Sequence, residues 1–159
     1  MQKLYNFGPH KLCENQVFYK SKFCIGLVNL KPITPGHVMV IPRRIVPRFA
    51  EMTSDEATDM ILSAQTIGKV IEKEFDATSL TMAMQDGPQA GQTVPHVHMH
   101  IIPRKAGDWA NNDDIYDELD GKQAAGVKRV DNDERKPRSI DEMKEEAEKL
   151  RPFFNQHED

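Results

Sequence analysis

Apolar positions along this chain follow two rhythms. The first has the period of a β-strand, in which successive side chains face opposite ways. It marks short strands at 4–7 and 11–13, on either side of the turn pair Gly8-Pro9. It continues in Val17-Phe18-Tyr19-Lys20, in Phe23 to Leu30, in His37 to Pro42 and in Ser79 to Gln85. Within Phe23–Leu30, alternation puts Phe23, Ile25, Leu27 and Asn29 on one face. Within Ser79–Gln85, Leu80, Met82 and Met84 face one way, while Thr81, Ala83 and Gln85 face the other and are mostly small. The second rhythm is helical. Thr53-Ser54-Asp55-Glu56 has the form of a capping box, and Ala57, Met60, Ile61, Ala64, Ile67, Gly68, Ile71 and Phe75 follow at helical spacing, predicting a helix over 54–75. Ser139-Ile140-Asp141-Glu142 is a second capping box. It opens a final helix striped by Ile140, Met143, Ala147 and Leu150 and closed by Pro152. Together these elements predict an α+β fold in which a long helix and a C-terminal helix accompany an antiparallel sheet of about five to seven strands. Residues 107–137 keep neither rhythm and read as a polar, mobile segment of the same domain, between the main body at 1–106 and the helix and tail at 138–159.

The strand rhythm acquires chemistry in Gln92-Thr93-Val94-Pro95-His96-Val97-His98-Met99-His100-Ile101-Ile102. Histidine fills every second place, so His96, His98 and His100 share one face and Val97, Met99 and Ile101 face a core. Of the 6 histidines in the chain, three fall within these five positions. Three chemistries could use such a row. Zinc is one, although the outer two Cα atoms of an extended strand would lie about 13 Å apart, too far for all three rings to converge easily on one ion. The solvated face of an amphipathic strand is another. The third is covalent catalysis, with one imidazole as nucleophile and its neighbours fixing its tautomer and stabilising charge.

The run His96-Val97-His98-Met99-His100-Ile101-Ile102 resembles the signature of the histidine triad superfamily, in which histidines alternate with apolar residues. Met84 to Val94 before it, and Pro103-Arg104-Lys105-Ala106-Gly107-Asp108 after it, resemble the fragile histidine triad branch, whose members hydrolyse dinucleoside polyphosphates. The likeness extends from Phe7 to Leu119. It implies that His98 attacks the α-phosphorus of a substrate such as diadenosine triphosphate, with His96 and His100 on phosphoryl oxygens or supporting groups. It places Gln85 and Gln92 near the bridging and leaving oxygens, and Gly91, Gln92, Thr93 and Val94 in a substrate-binding loop. It also implies a base pocket lined by Phe7, Leu27 and Met39, a ribose on Asn29, and further contacts from His10 and His37. Family members form dimers through joined sheets and helices. Two other readings stay open: a nucleoside phosphoramidase of the same superfamily, and a nucleotide-sensing module that signals through its liganded complex.

Composition narrows the setting. The 159 residues suit one domain, and 21 basic against 25 acidic residues give a net charge of −4, which implies no general attraction to nucleic acid. No apolar run approaches the ~20 residues of a membrane span, and the N-terminus lacks a signal-peptide core. Cys13 and Cys24 have neither metal nor redox spacing and read as reduced, buried thiols of a cytoplasmic protein, with a nuclear location as the alternative. No acidic cluster accompanies the histidines, so a divalent cation (Mg²⁺ or Mn²⁺) would arrive on the substrate's phosphates rather than on the protein. Arg43 and Arg44 could attract polyphosphate or simply be solvated. Tyr116, flanked by acids, could accept a phosphate or be an ordinary tyrosine.

Overall fold

A computed structural model describes residues 3–120 and 136–157. A hairpin of β1 (Leu4–Phe7) and β2 (His10–Cys13) stands apart from a five-stranded antiparallel sheet. The sheet comprises β3 (Val17–Lys20), β4 (Cys24–Val28), β5 (Val38–Pro42), β6 (Ser79–Met84) and β7 (Met99–Arg104), in the order β3-β4-β5-β7-β6. Helix α1 (Ser54–Glu74) crosses one face, and α3 (Ile140–Leu150) packs beside β3 and β4. The predicted strands and both main helices are present. Segment 107–137 contains a short helix that its polar sequence had hidden, α2 (Asp114–Leu119), which buries Ile115. Residues 121–135 of that segment lie outside the described residues.

Both capping boxes form. The Thr53 hydroxyl accepts from the Glu56 N–H and the Glu56 carboxylate from the Thr53 N–H, an arrangement that Ser139 and Glu142 repeat on α3. Arg44 pairs with Glu56 at 2.7 Å, and Arg43 holds the carbonyls of Ser21 and His157. Both arginines therefore serve the fold. Met60, Ala64, Ile67 and Ile71 of α1 pack on Val38, Val40, Met99 and Ile101 of the sheet, joined by Met143, Ala147 and Leu150 of α3. Each fully buried isoleucine contributes about 1.5–3 kcal/mol. Cys24 is buried and Cys13 only half-buried. Both are free thiols, and burial raises the Cys24 thiol well above its ordinary range.

The opposite face of the sheet is where the fold makes room. Ile25, Leu27, Met39 and Ile41 form a smaller cluster there with Tyr5 and Val17, and the β1–β2 hairpin lies over it. In register across β5, β7 and β6, Met39 stands opposite His100 and His100 opposite Ala83, so a small side chain flanks the histidine. The helix-packed face is closed; this one holds the polar residues.

Candidate active site

The alternation of the histidine row survives, but its regular pairing starts only at Met99. Upstream, the His96 N–H turns back to the Val94 carbonyl and the Val97 N–H reaches Val46, so neither joins the ladder. Val97, Met99 and Ile101 still enter the core under α1, and all three imidazoles are buried. Phe7, at the end of β1, lies between the first two rings, with centroids 5.6 Å from His96 and 5.2 Å from His98.

Hydrogen bonds assign each ring a tautomer. The Gly8 N–H donates to His96 Nδ1 at 2.9 Å, so His96 is protonated at Nε2, which donates to the Pro42 carbonyl at 2.8 Å. Both of its nitrogens are thus committed to backbone. The hairpin turn makes this possible only because residue 8 is glycine: its φ is +57°, and a Cβ there would stand 2.8 Å from Val94 Cγ1. His98 donates from Nδ1 to the His96 carbonyl at 2.8 Å, which leaves an unprotonated Nε2 with no partner among the described residues. That is the arrangement of a nucleophile.

His100 receives its tautomer from further away. The Ile33 N–H donates to His37 Nδ1 at 3.0 Å, so His37 carries its proton on Nε2 and gives it to His100 Nδ1 at 2.9 Å. His100 is left with an Nε2–H donor that no described residue accepts. Asn29 Nδ2 lies 3.3 Å from His37 Nε2, donor against donor, while the buried Asn29 Oδ1 has no partner among the described residues. Exchanging the two ends of the amide relieves that contact and leaves the Asn29 NH₂ as a buried donor for a ligand oxygen. Arg138 fixes the backbone here by donating to the Asn29 carbonyl, and it is itself paired with Glu146 of α3.

Burial holds His96, His98 and His100 below the ordinary imidazole value of 6.5, and lowers His100 to about 3, with neighbouring His98 adding to the effect. The unfolded chain therefore binds protons that the folded one refuses. Stability from these rings is complete above pH 6.5 and declines as pH falls towards their folded-state values, by up to about 1.4 kcal/mol per unit for each ring. The paired carboxylates Glu56, Asp86 and Asp108 are shifted down, so their contribution is lost only below the ordinary carboxylate range. Urea midpoints measured at pH 7.5 and pH 5.5 should differ markedly; identical midpoints would refute the assignment of three neutral buried histidines.

A cavity of about 410 Å³ opens beside the triad, lined by Phe7, His10, Leu12, Gln16, Leu27, Val28, Leu30, Met39, Val94 and Met143. It joins five of the sequence candidates, Phe7, His10, Leu27, Met39 and, from the loop, Val94. Leu12, Gln16, Val28, Leu30 and Met143 were not foreseen. Met143 belongs to a helical stripe that reads only as core, and no local pattern announces that α3 reaches a pocket 127 positions away from Gln16. In the loop before the triad, Gly91 has φ +95°, and Gln85 Nε2 donates beside it to Asp120 at 2.5 Å. Gln92, which the resemblance places near the bridging and leaving oxygens, has its amide engaged within the loop. Its Oε1 accepts from the Gly87 N–H, while its Nε2 donates to the carbonyls of Pro47 and Val94, so the side chain braces the loop. Thr93 is exposed on the same loop. Among the described residues no group of three His, Cys, Asp or Glu side chains could hold a metal ion. No helix among them is long and apolar enough to cross a membrane.

These features define a class, and comparison with known proteins agrees: the HIT domain family model matches residues 11–107, and the chain belongs to that family. It is 51% identical to the Arabidopsis thaliana protein named bifunctional bis(5'-adenosyl)-triphosphatase/adenylylsulfatase FHIT, across 95% of this chain and 84% of that one. It is 47% identical to the bis(5'-adenosyl)-triphosphatase of Dictyostelium discoideum, across 95% and 93%. Among solved structures, it superposes on the Plasmodium falciparum diadenosine triphosphate hydrolase with a TM-score of 0.75 at 29% identity, covering 96% of this chain and 85% of that one.

Proposed function

We propose that this protein is a dinucleoside polyphosphate hydrolase that cleaves diadenosine triphosphate to AMP and ADP through a nucleotide bound covalently to His98. The same chemistry would take the tetraphosphate to AMP and ATP. The observation that carries the reading is the lone pair on His98 Nε2, exposed by a tautomer that the His96 carbonyl enforces. The names of relatives at 51% and 47% identity supply the substrate class.

In the first step, Nε2 attacks the α-phosphorus, a P–N bond forms and the bridging P–O bond breaks, expelling ADP. The imidazole becomes cationic as that bond forms, and the His96 carbonyl on Nδ1–H stabilises the charge, much as an acceptor steadies a general-base histidine. The His100 Nε2–H donates to a phosphoryl oxygen as negative charge develops there. Water then attacks the same phosphorus and releases AMP. The base occupies the cavity between Phe7, Leu27 and Met39, and the Asn29 NH₂ donates to a ribose hydroxyl oxygen. Gln85 would exchange Asp120 for an oxygen of the phosphate chain. A divalent cation, Mg²⁺ or Mn²⁺, would ride on the substrate's phosphates.

Incubation with diadenosine triphosphate in ¹⁸O-water should yield equimolar AMP and ADP with the label only in AMP. Label in ADP would refute attack at the α-phosphorus. If the protein instead cleaves an adenosine phosphoramidate and leaves the triphosphate untouched, it belongs to the sister activity.

The reading extends to a homodimer. Among the described residues, edge strand β6 leaves one backbone edge unpaired, and Met82 on it is 45% exposed. Ile61 and Leu62 of α1 are 57% and 55% exposed, a surface that a second copy would cover. Sedimentation equilibrium should give twice the chain mass, and a monomer at micromolar concentration would exclude it.

A further inference from the structure

The nucleoside cavity is walled almost wholly by carbon, and apolar walls stack any purine without telling one from another. Base selection therefore falls to the polar side chains that line it, His10 and Gln16. His10 is exposed, and an imidazole can present either a donor or an acceptor. Gln16 is different, because its amide is held. Its Nε2 donates to Met143 Sδ at 3.3 Å, across the cavity wall from α3. A thioether can accept a hydrogen bond but has no hydrogen to give. Turning the amide over would set a carbonyl oxygen against the lone pairs of sulfur, so Met143 keeps the NH₂ on its own side. The carbonyl oxygen of Gln16 accepts nothing from a described residue. The cavity thus has a fixed acceptor on its rim.

We infer that Gln16, locked by Met143, reads the substituent at C6 of the purine and selects a 6-amino base over a 6-oxo base. The inference rests on the nucleotide reading of this cavity and refines it. With the ribose held at Asn29 and the ring stacked between Phe7 and Leu27, the C6 group of adenine and of hypoxanthine falls in the same place. The adenine amine donates to the Gln16 carbonyl. The hypoxanthine oxygen would meet it acceptor to acceptor, and both would lose water without gaining a partner, the kind of mismatch that discriminates more strongly than a change of shape.

The test compares AMP with IMP, which share ribose and phosphate, by titration calorimetry on the full chain. Wild type should bind AMP about tenfold more tightly than IMP, the size expected for the loss of one hydrogen bond. Gln16→Leu should bring the two affinities within about twofold, chiefly by weakening AMP. Met143→Leu keeps the wall apolar but frees the amide to rotate, so IMP should gain affinity while AMP changes little. Thermal melting of each variant reports that it is folded. A wild type that binds both nucleotides equally, or a preference that persists in Gln16→Leu, overturns the role of Gln16 while leaving the hydrolase reading intact. Failure to bind either nucleotide overturns both, because the cavity would then not be a nucleoside site.

Discussion

Replacing His98 with asparagine should lower turnover of diadenosine triphosphate by at least about 10⁴-fold, equivalent to about 5.5 kcal/mol of transition-state stabilisation. Binding of the substrate should change by no more than about threefold. The contrast follows from what asparagine preserves and removes. Its amide can still donate to the His96 carbonyl and can still occupy the space beside Phe7, so the ring of partners around position 98 stays in place. What disappears is the Nε2 lone pair, for which an amide nitrogen is no substitute. The prediction concerns kcat rather than affinity, because the proposed base and ribose contacts lie on other residues. Steady-state hydrolysis and calorimetric titration of the variant give the two numbers. A second measurement addresses the intermediate itself. Wild type quenched in alkali during turnover should carry the mass of one adenylyl group, since a P–N bond to histidine survives base, and His98→Asn should carry none. Hydrolysis by the variant within tenfold of wild type would remove His98 from the chemistry.

Much of this architecture was legible because it is local. Two capping boxes and two helical stripes announced α1 and α3, and strand alternation placed the histidines on the face opposite Val97, Met99 and Ile101. The resemblance supplied the roles that no periodicity could. What stayed hidden is long-range. The path from Ile33 through His37 to His100 crosses 63 positions between its two rings, and the contact of Gln16 with Met143 crosses 127. The resemblance implied contacts from His37 but not its bond to His100, and nothing in the sequence around Gln16 marks its pairing. Gln92 is ambiguous in sequence for a related reason: a glutamine next to a glycine-rich loop can serve a ligand or the loop's own backbone, and its bond to the Pro47 carbonyl depends on a distant segment. Helix α2 escaped notice because it is short and acidic and carries too few apolar residues to show a stripe. The place of β6 at the end of the strand order could not be read at all, since it depends on the order in which strands pair.

The path through His37 leads to the second large effect. His37→Phe should lower kcat by about 10²-fold, the loss typical of one misdirected donor to a developing oxyanion, with a smaller change in substrate affinity. Phenylalanine fills the buried space that His37 occupies at 2% exposure, so packing is largely kept. The proton order is not. The Ile33 N–H loses its acceptor, and His100 Nδ1 loses the donor that obliges its own proton to sit on Nε2. His100 can then adopt the other tautomer, which turns a lone pair towards the phosphoryl oxygen and changes a stabilising contact into a repulsive one. His37→Gln separates this account from a simple packing role. A glutamine amide offers one acceptor and one donor about as far apart as the two nitrogens of imidazole, so it can accept from Ile33 and still donate to His100. Glutamine should therefore restore kcat to within about tenfold of wild type, although phenylalanine is the better match for an apolar cavity. If phenylalanine supports faster turnover than glutamine, position 37 acts by filling space, and the tautomer of His100 must be set by something else.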